Sequence, residues 1–239
     1  MMTVSVKYND LMICKALQIK MESFNHSFEK IFVLNEISYV SKDIDWDNFY
    51  MDIVYFSIEV TDQYGNDEVL YDFHFRIEDA TATEDCITAR GIPIMWYDGN
   101  NYDQYVIDIL SAWSKNQEID FLSLDQDKKD AYCSSCRIWN SGTDKLNNTF
   151  YEVDLDLVKS DIDLFNLMGD VLLGSKGYLG YDSYTFEDRL GTIINKVEAD
   201  TVIRLKNYQN LKRSINSREW EYLDKAFRRE YKNLAFVMA

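Results

Sequence analysis

Few residues of this 239-residue chain stand at spacings that could support catalysis or metal binding. Cys133 and Cys136 form a CSSC pair, but a zinc site needs two further ligands, and the sequence contains no second CxxC and no HxxxH. The two histidines, His26 and His74, lie far apart in the sequence, which disfavours a histidine-based triad or metal centre. We therefore expect reduced cysteine thiols on a turn or strand, and no metal.

Phosphate-binding and carboxylate chemistry are also poorly supported. The glycines of GSKGYLG are not followed by the GK[ST] of a Walker loop. Paired acids such as those of DIDWD are common at a net charge of −16, so each pair is a weak candidate for general acid or base work. The sequence predicts a protein that is not an enzyme and binds no cofactor. An enzyme with its site among the carboxylates of residues 1–146 is a rival hypothesis.

The stretch GYLGYDSYTFEDRLG, from Gly177 to Gly191, has a different composition. It combines four aromatic residues and three acids with three of the nine glycines of the chain. If a helix begins after Asp182, a good N-cap, then Tyr184 and Asp188 share one side of it, with Glu187 beside them. The opposite, core-facing side takes four apolar residues: Phe186, Leu190, Ile193 and Val197. The stretch therefore predicts a solvent-facing surface of tyrosines and carboxylates.

The elements before this stretch indicate an α+β amino-terminal domain. Apolar residues alternate on both sides of TDQYGND, which predicts a hairpin of two strands. The apolar residues Val106, Ile109, Leu110 and Trp113 predict a helix of about four turns. Pro93, the single proline, is predicted to lie in a connection between sheet and helix.

The second segment has the pattern of an α/β domain. FYEVDLDLVK alternates as a strand, and Ser160 can cap a helix after it. TVIRLK predicts a short strand, a helix is expected from about Ser217, and the apolar LAFVMA predicts a terminal strand buried on both sides in a parallel sheet.

The charge distribution suggests where the two domains divide. Residues 1–146 hold 12 basic and 26 acidic residues, whereas residues 147–239 hold 13 and 15. Turn-forming residues gather between Asn140 and Thr149. We therefore place an acidic domain at 1–146 and a second domain at 147–239.

The net charge of −16 also limits the partners. It repels phosphate backbones and anionic membranes, so we expect neither direct nucleic-acid binding nor membrane binding. The amino terminus has no basic region followed by an apolar one, and four cysteines are consistent with reduced thiols. The expected location is the cytoplasm.

The pattern G-Y-D-x-Y-x-F-x-D-x-L, followed by a strand, a helix ending in AFRREYK and a terminal apolar strand, resembles the barstar family of bacterial ribonuclease inhibitors. The resemblance covers roughly the last ninety residues. It implies a small parallel sheet of three strands packed with helices, and an immunity protein that binds and occludes a toxin's active site. The expected partner is a cognate toxin with a basic active site, a secreted ribonuclease.

The resemblance also implies roles for individual residues. Tyr178 matches the family's loop tyrosine, Gly180 its loop glycine, and Asp188 the aspartate that takes the place of a substrate phosphate. Tyr184 stands where the best-known members have an earlier aspartate, and Glu187 where they have tryptophan. The acidic residue of the last helix is met by Arg229 or, one position on, by Glu230. The predicted partner-binding residues are Tyr178, Gly180, Tyr181, Asp182, Tyr184, Glu187, Asp188 and Glu230. The alternative, favoured by Tyr184, is an adaptor or immunity protein that binds a non-nuclease partner.

Overall fold

The computed structural model describes residues 2–23, 29–46, 52–96, 102–140 and 145–239. The chain divides into two compact units, Met1–Ile119 and Asp120–Ala239. The fold class is α+β: the first unit is built on a six-stranded antiparallel sheet, and the second on a separate three-stranded parallel sheet with helices.

The antiparallel sheet of the first unit closes into a barrel. Its strands are β1 (Met2–Tyr8), β2 (Leu11–Ser23), β3 (Lys30–Val40), β4 (Ile53–Thr61), β5 (Asp67–Ala82) and β6 (Cys86–Trp96). They follow each other around the barrel in the order β1-β2-β3-β6-β5-β4, and β4 pairs again with β1. Closure gives every strand a neighbour on both sides, which removes free sheet edges.

Apolar alternation along the strands fills the barrel with aromatic rings. Phe32, Phe56, Phe73 and Phe75 are at most 2% exposed, and Phe56 stacks on Phe73 with ring centroids 5.1 Å apart. The predicted hairpin is β4 and β5, confirmed by their antiparallel pairing. Its turn is held by the buried Asp62 carboxylate, which accepts hydrogen bonds from two backbone amides and one side-chain amide.

Pro93 lies inside β6, so its predicted place in a connection is wrong. It stands opposite Phe75, beside a register shift between His74 and Phe75 that interrupts the regular ladder. Such an irregularity accommodates a residue without a backbone N–H. The predicted helix is confirmed as α1 (Gln104–Ser114), with Asp103 as its N-cap.

The second unit alternates strands with pairs of helices after a first helix. Its elements are α2 (Gln126–Trp139), β7 (Phe150–Asp154), α3 (Asp161–Leu173), α4 (Ser183–Ile194), β8 (Thr201–Lys206), α5 (Tyr208–Ser214), α6 (Ser217–Arg228) and β9 (Leu234–Met238). Short 3-10 turns at Phe121–Ser123 and Leu155–Leu157 precede α2 and α3. The predicted strand FYEVDLDLVK therefore ends halfway, because Asp154 caps the second of these turns.

All three strands are parallel, and β8 lies between β7 and β9. On one face of the sheet, the strand side chains pack with residues of α3, α4, α5 and α6 in a single buried cluster. The opposite face carries exposed side chains: Phe150, Glu152, Arg204 and Val237. The expectation that the terminal strand is buried on both sides is therefore wrong, because all four helices contribute to one face and β9 is an edge strand.

Helix α2 belongs to the second unit. The chain therefore divides between residues 119 and 120, earlier than the predicted cut at about 146. Lys129 on α2 binds the carboxylate of Asp163 on α3 at 2.7 Å, and the Asp163 side chain is only 2% exposed. The turn-forming residues that suggested the cut include 141–144, which lie outside the described residues. The interactions between α2 and α3 cross the predicted boundary.

Cys133 and Cys136 lie on α2, so their predicted place on a turn or strand is wrong. Both side chains are buried, and both thiols are reduced. Burial raises the pKa of Cys133 to about 12 and that of Cys136 well above its ordinary value. Such thiols stay protonated and unreactive near neutral pH.

Candidate protein-binding site

The loop before α4 is held close to α3 by two glycines. A Cβ on Gly177 would stand 2.2 Å from the carbonyl oxygen of Gly169, and a Cβ on Gly169 would stand 2.2 Å from that of Gly177. Only residues without side chains allow this approach. The loop therefore has a fixed position on the second unit.

Tyr178 packs beneath this loop and is 8% exposed. The Arg189 guanidinium lies over its ring, 5.9 Å from the centroid, and burial raises the pKa of the tyrosine to about 12. The structure thus gives Tyr178 a packing role, whereas the predicted partner contact would need an accessible ring.

Gly180 and Asp182 shape the start of α4. Gly180 has a φ of +119°, and a Cβ there would stand 2.6 Å from the backbone nitrogen of Phe186. The Asp182 carboxylate accepts from the Thr185 amide at 2.7 Å, and the Thr185 hydroxyl reaches back to the Asp182 backbone, which completes a capping box. The predicted N-cap is confirmed, and both residues serve the geometry of the helix start.

The predicted sides of α4 are confirmed except at Val197, which lies beyond the end of the helix at Ile194 and packs partly buried against the core. Phe186, Leu190 and Ile193 are at most 1% exposed within the core of the second unit. Tyr184 is 74% exposed and Tyr181, in the loop, is 58% exposed. The Asp188 side chain is exposed and makes no hydrogen bond or ion pair with any residue that the structure describes. Tyrosine rings and one unpaired carboxylate are therefore presented together on a rigid support.

A groove of about 420 Å³ runs between α4 and the end of α6. It is lined by Tyr184, Glu187, Asp188, Gly191, Thr192, Asn195, Tyr222 and Arg229. Three of these side chains are charged, two carboxylates and one guanidinium, which leaves one net negative charge. The groove is therefore suited to a cationic side chain.

Glu187 is bound from both sides within this groove. Its Oε1 atom lies 2.5 Å from Nη1 of Arg229, and its Oε2 atom accepts a hydrogen bond from the Tyr222 hydroxyl. The Tyr222 bond, and then the Arg229 guanidinium, hold the pKa of Glu187 below its ordinary value. The same bond raises the pKa of Tyr222 to about 12, and Glu187 raises the pKa of Arg229. Glu187 thus joins α4 to α6.

Glu230 was predicted as a contact but does not line the groove. It is exposed beyond the last residue of α6, and Arg229 is the residue that reaches Glu187. Sequence analysis missed the contribution of Tyr222. A signal was available in the seven-residue spacing of Tyr222 and Arg229, which corresponds to two helical turns, although Arg229 lies one residue beyond the end of α6.

No cluster of potential metal ligands occurs within the part of the chain that the structure describes. None of the helices found there is long and apolar enough to cross a membrane. No protein-family model matches this chain, and no curated protein matches it.

Proposed function

We propose that this protein is an immunity protein whose second unit binds and occludes the basic active site of a ribonuclease-type toxin. The observation that carries the proposal is Asp188, an exposed carboxylate without a partner among the described residues, on a helix fixed by a capping box. A carboxylate presented in this way can occupy a site that Arg, Lys and His build to hold a phosphate.

The surroundings of Asp188 support a protein partner. Tyr184 lines the same groove on the same helix and is exposed, and Tyr181 is exposed in the loop before the helix. Tyrosine offers rigid contact area with few rotatable bonds, and it is enriched at the centres of protein interfaces. The two rings and the carboxylate together form a surface that can desolvate a small basic site.

The architecture of the second unit also supports the proposal. Three parallel strands in the order β7-β8-β9, with two helices between successive strands, form the kind of small helix-packed sheet that the resemblance to the barstar family implies. The loop and α4 lie at the positions of the motif that carries the resemblance.

The test has two steps: to establish whether a neighbouring gene encodes a secreted ribonuclease, and to measure the inhibition of that ribonuclease by the full chain. Asp188→Asn keeps the size of the side chain and removes its charge, and we expect inhibition to weaken by roughly 2 kcal/mol or more, as for an interface hot spot. Glu221→Gln is the matched control, since Glu221 is an exposed acid of α6 that does not line the groove. Equal inhibition by the two variants would remove Asp188 from the proposal.

The dependence of the association rate on salt tests the electrostatic part. The rate should fall markedly as salt is raised, while dissociation changes less, because the contact pairs unlike charges. A rate that stays constant from low to high ionic strength would contradict docking by charge.

A second candidate is an adaptor or immunity protein that binds a non-nuclease partner. It is favoured by the charge of the groove: Tyr184 supplies no acid and Glu187 is already paired with Arg229, which leaves Asp188 as the one acid of the groove without a partner in the described parts of the chain. A partner that binds the chain through Asp188 but degrades no RNA would favour this candidate over the first.

A further inference from the structure

The groove between α4 and α6 contains a cation of the chain itself. Arg229 lies at the end of α6, and its guanidinium binds Oε1 of Glu187 at 2.5 Å. Glu187 and Asp188 are adjacent in sequence and line the same groove, yet the only counter-ion described for either is Arg229. The two carboxylates are thus in unlike states, one paired and one unpaired.

The ion pair between Arg229 and Glu187 is accessible to competitors. The Arg229 side chain is 57% exposed, and that of Glu187 is 24% exposed. Exposed ion pairs contribute little to stability because water and salt screen them. An incoming cation that contacts Asp188 therefore needs little free energy to compete for Glu187 as well.

The walls of the groove suit the same kind of group. Tyr184 and Tyr222 line it together with the two carboxylates, and aromatic faces attract cations. A planar guanidinium can bind a carboxylate through two parallel hydrogen bonds and can stack on an aromatic ring, which an ammonium group cannot do. The groove therefore favours arginine over lysine.

We infer that Arg229 is an internal placeholder for an arginine of the partner: it occupies Glu187 in the free protein and is displaced when the partner's guanidinium docks against Asp188 and Glu187. This inference rests on the proposed function for the origin of that arginine, the basic site of the partner. It makes Arg229 a residue that weakens binding, so that removing it should strengthen the complex.

The test uses a small probe in place of the partner. N-acetyl-arginine N-methylamide is titrated into the isotope-labelled full chain, and nuclear magnetic resonance follows the side-chain NH groups of Arg229 and the backbone amides of Asp188 and Thr192. We expect all three sets of signals to move together, those of Arg229 towards the positions of a free guanidinium. The corresponding lysine derivative should cause smaller shifts at equal concentration, and the glutamine derivative none.

Arg229→Ala supplies the decisive comparison. It should bind the arginine derivative about threefold more tightly than the parent, the range of a released exposed ion pair. Arg228→Ala is the matched control, because Arg228 is a neighbouring exposed arginine that pairs with Asp224 and does not line the groove. Equal affinity of the two variants, or Arg229 signals that stay fixed during the titration, would overturn the inference.

The outcome is separable from that of the proposed function. If the chain inhibits no ribonuclease but the arginine derivative displaces its Arg229, the proposed function is wrong and the inference about Arg229 is supported. If the chain inhibits the ribonuclease through Asp188 but Arg229→Ala changes neither probe binding nor inhibition, the proposed function is supported and the inference about Arg229 is wrong.

Discussion

The two units of this protein differ in net charge and in whether their sheets have free edge strands. Residues 1–119 hold 8 basic and 21 acidic residues, whereas residues 120–239 hold 17 and 20. The acidic unit is a closed barrel whose strands all have two neighbours, while the nearly balanced unit leaves two edge strands and one exposed sheet face. The candidate site lies in the balanced unit, so the proposed function depends on one exposed carboxylate in a fixed position and not on the large net charge of the barrel.

The two units also differ in how their hydrophobic cores are enclosed. The barrel encloses stacked phenylalanines on the inside of a single sheet, and the single helix α1 adds buried residues such as Leu110 and Trp113 to the core of this unit. The parallel sheet is covered on one face only, and its core depends on helices that approach from that face. Parallel sheets are usually buried on both faces. Four experiments test how far this difference holds.

The largest expected effect concerns the boundary between the units. Lys129→Met removes the partner of a buried carboxylate, and losing one half of a buried ion pair costs about 3–5 kcal/mol. Removing the whole of α2 removes the same ion pair. A chain of residues 120–239 should therefore melt cooperatively at a higher temperature than a chain of residues 147–239, which lacks α2. If the two chains melt alike, α2 does not stabilise the parallel sheet, and the predicted cut at 146 describes the folding unit better.

Leu190→Ala tests whether the helix-covered core is independent of the barrel. Leu190 is 1% exposed in the core of the second unit, and its truncation should cost about 2–5 kcal/mol of unfolding free energy. Ile58→Ala is the counterpart inside the barrel, where Ile58 is fully buried. In calorimetry each variant should lower the transition of its own unit, and a single shared transition that both variants shift would contradict independence. Leu190→Ala molecules that remain folded should still bind the partner.

Glycine substitutions compare close backbone approaches in the two units. Gly91→Ala would place a Cβ 2.0 Å from the carbonyl oxygen of Arg76 in the barrel, and Gly177→Ala would place one 2.2 Å from that of Gly169. Each should cost about 1–3 kcal/mol, because the backbone has to shift. The control is Gly191→Ala in α4, which has no atom within 4 Å of its Cβ and should gain up to about 1 kcal/mol of helix stability. Thermal denaturation measures all three, and a loss at Gly191 as large as that at Gly177 would contradict the close approach.

The smallest effect is electrostatic and is confined to the groove. The pKa of Tyr222 is raised to about 12 by its hydrogen bond to Glu187, so the stability from this bond is complete below about pH 10 and disappears as the pH rises through about 12. The pKa of Glu187 is lowered. The stability that its ionised carboxylate contributes is therefore present above the ordinary glutamate range and is lost as the pH falls through the lowered pKa.

Phenolate absorbance measures the first of these shifts, with Tyr222→Phe to assign the signal. Glu187→Gln should return the pKa of Tyr222 towards its ordinary value of 10.0. An unchanged titration in Glu187→Gln would show that α4 and α6 are not joined by this bond.

The sequence determined the elements whose signals are local. Asp182 and Ser160 cap their helices as predicted, because a short polar side chain before an apolar period satisfies amides within the next few residues. The two sides of α4 followed from its period of 3.6 residues, and the hairpin of β4 and β5 from alternation around a turn. These patterns depend on neighbours in the chain and can be found in a single sequence.

Tertiary structure alone decided the closure of the barrel, the place of Pro93 within β6, the exposed side of β9 and the boundary at residue 120. In the site it decided that Tyr178 is buried and that Glu187 binds Tyr222 and Arg229, whereas Asp188 is exposed and pairs with none of the residues that the structure describes. Glu187 and Arg229 stand 42 positions apart in the chain, and no periodicity within α4 or α6 encodes their contact. Such pairings form only when the core fixes the distance between two helices, and for this reason the sequence identified the acids of the groove without showing which of them is free.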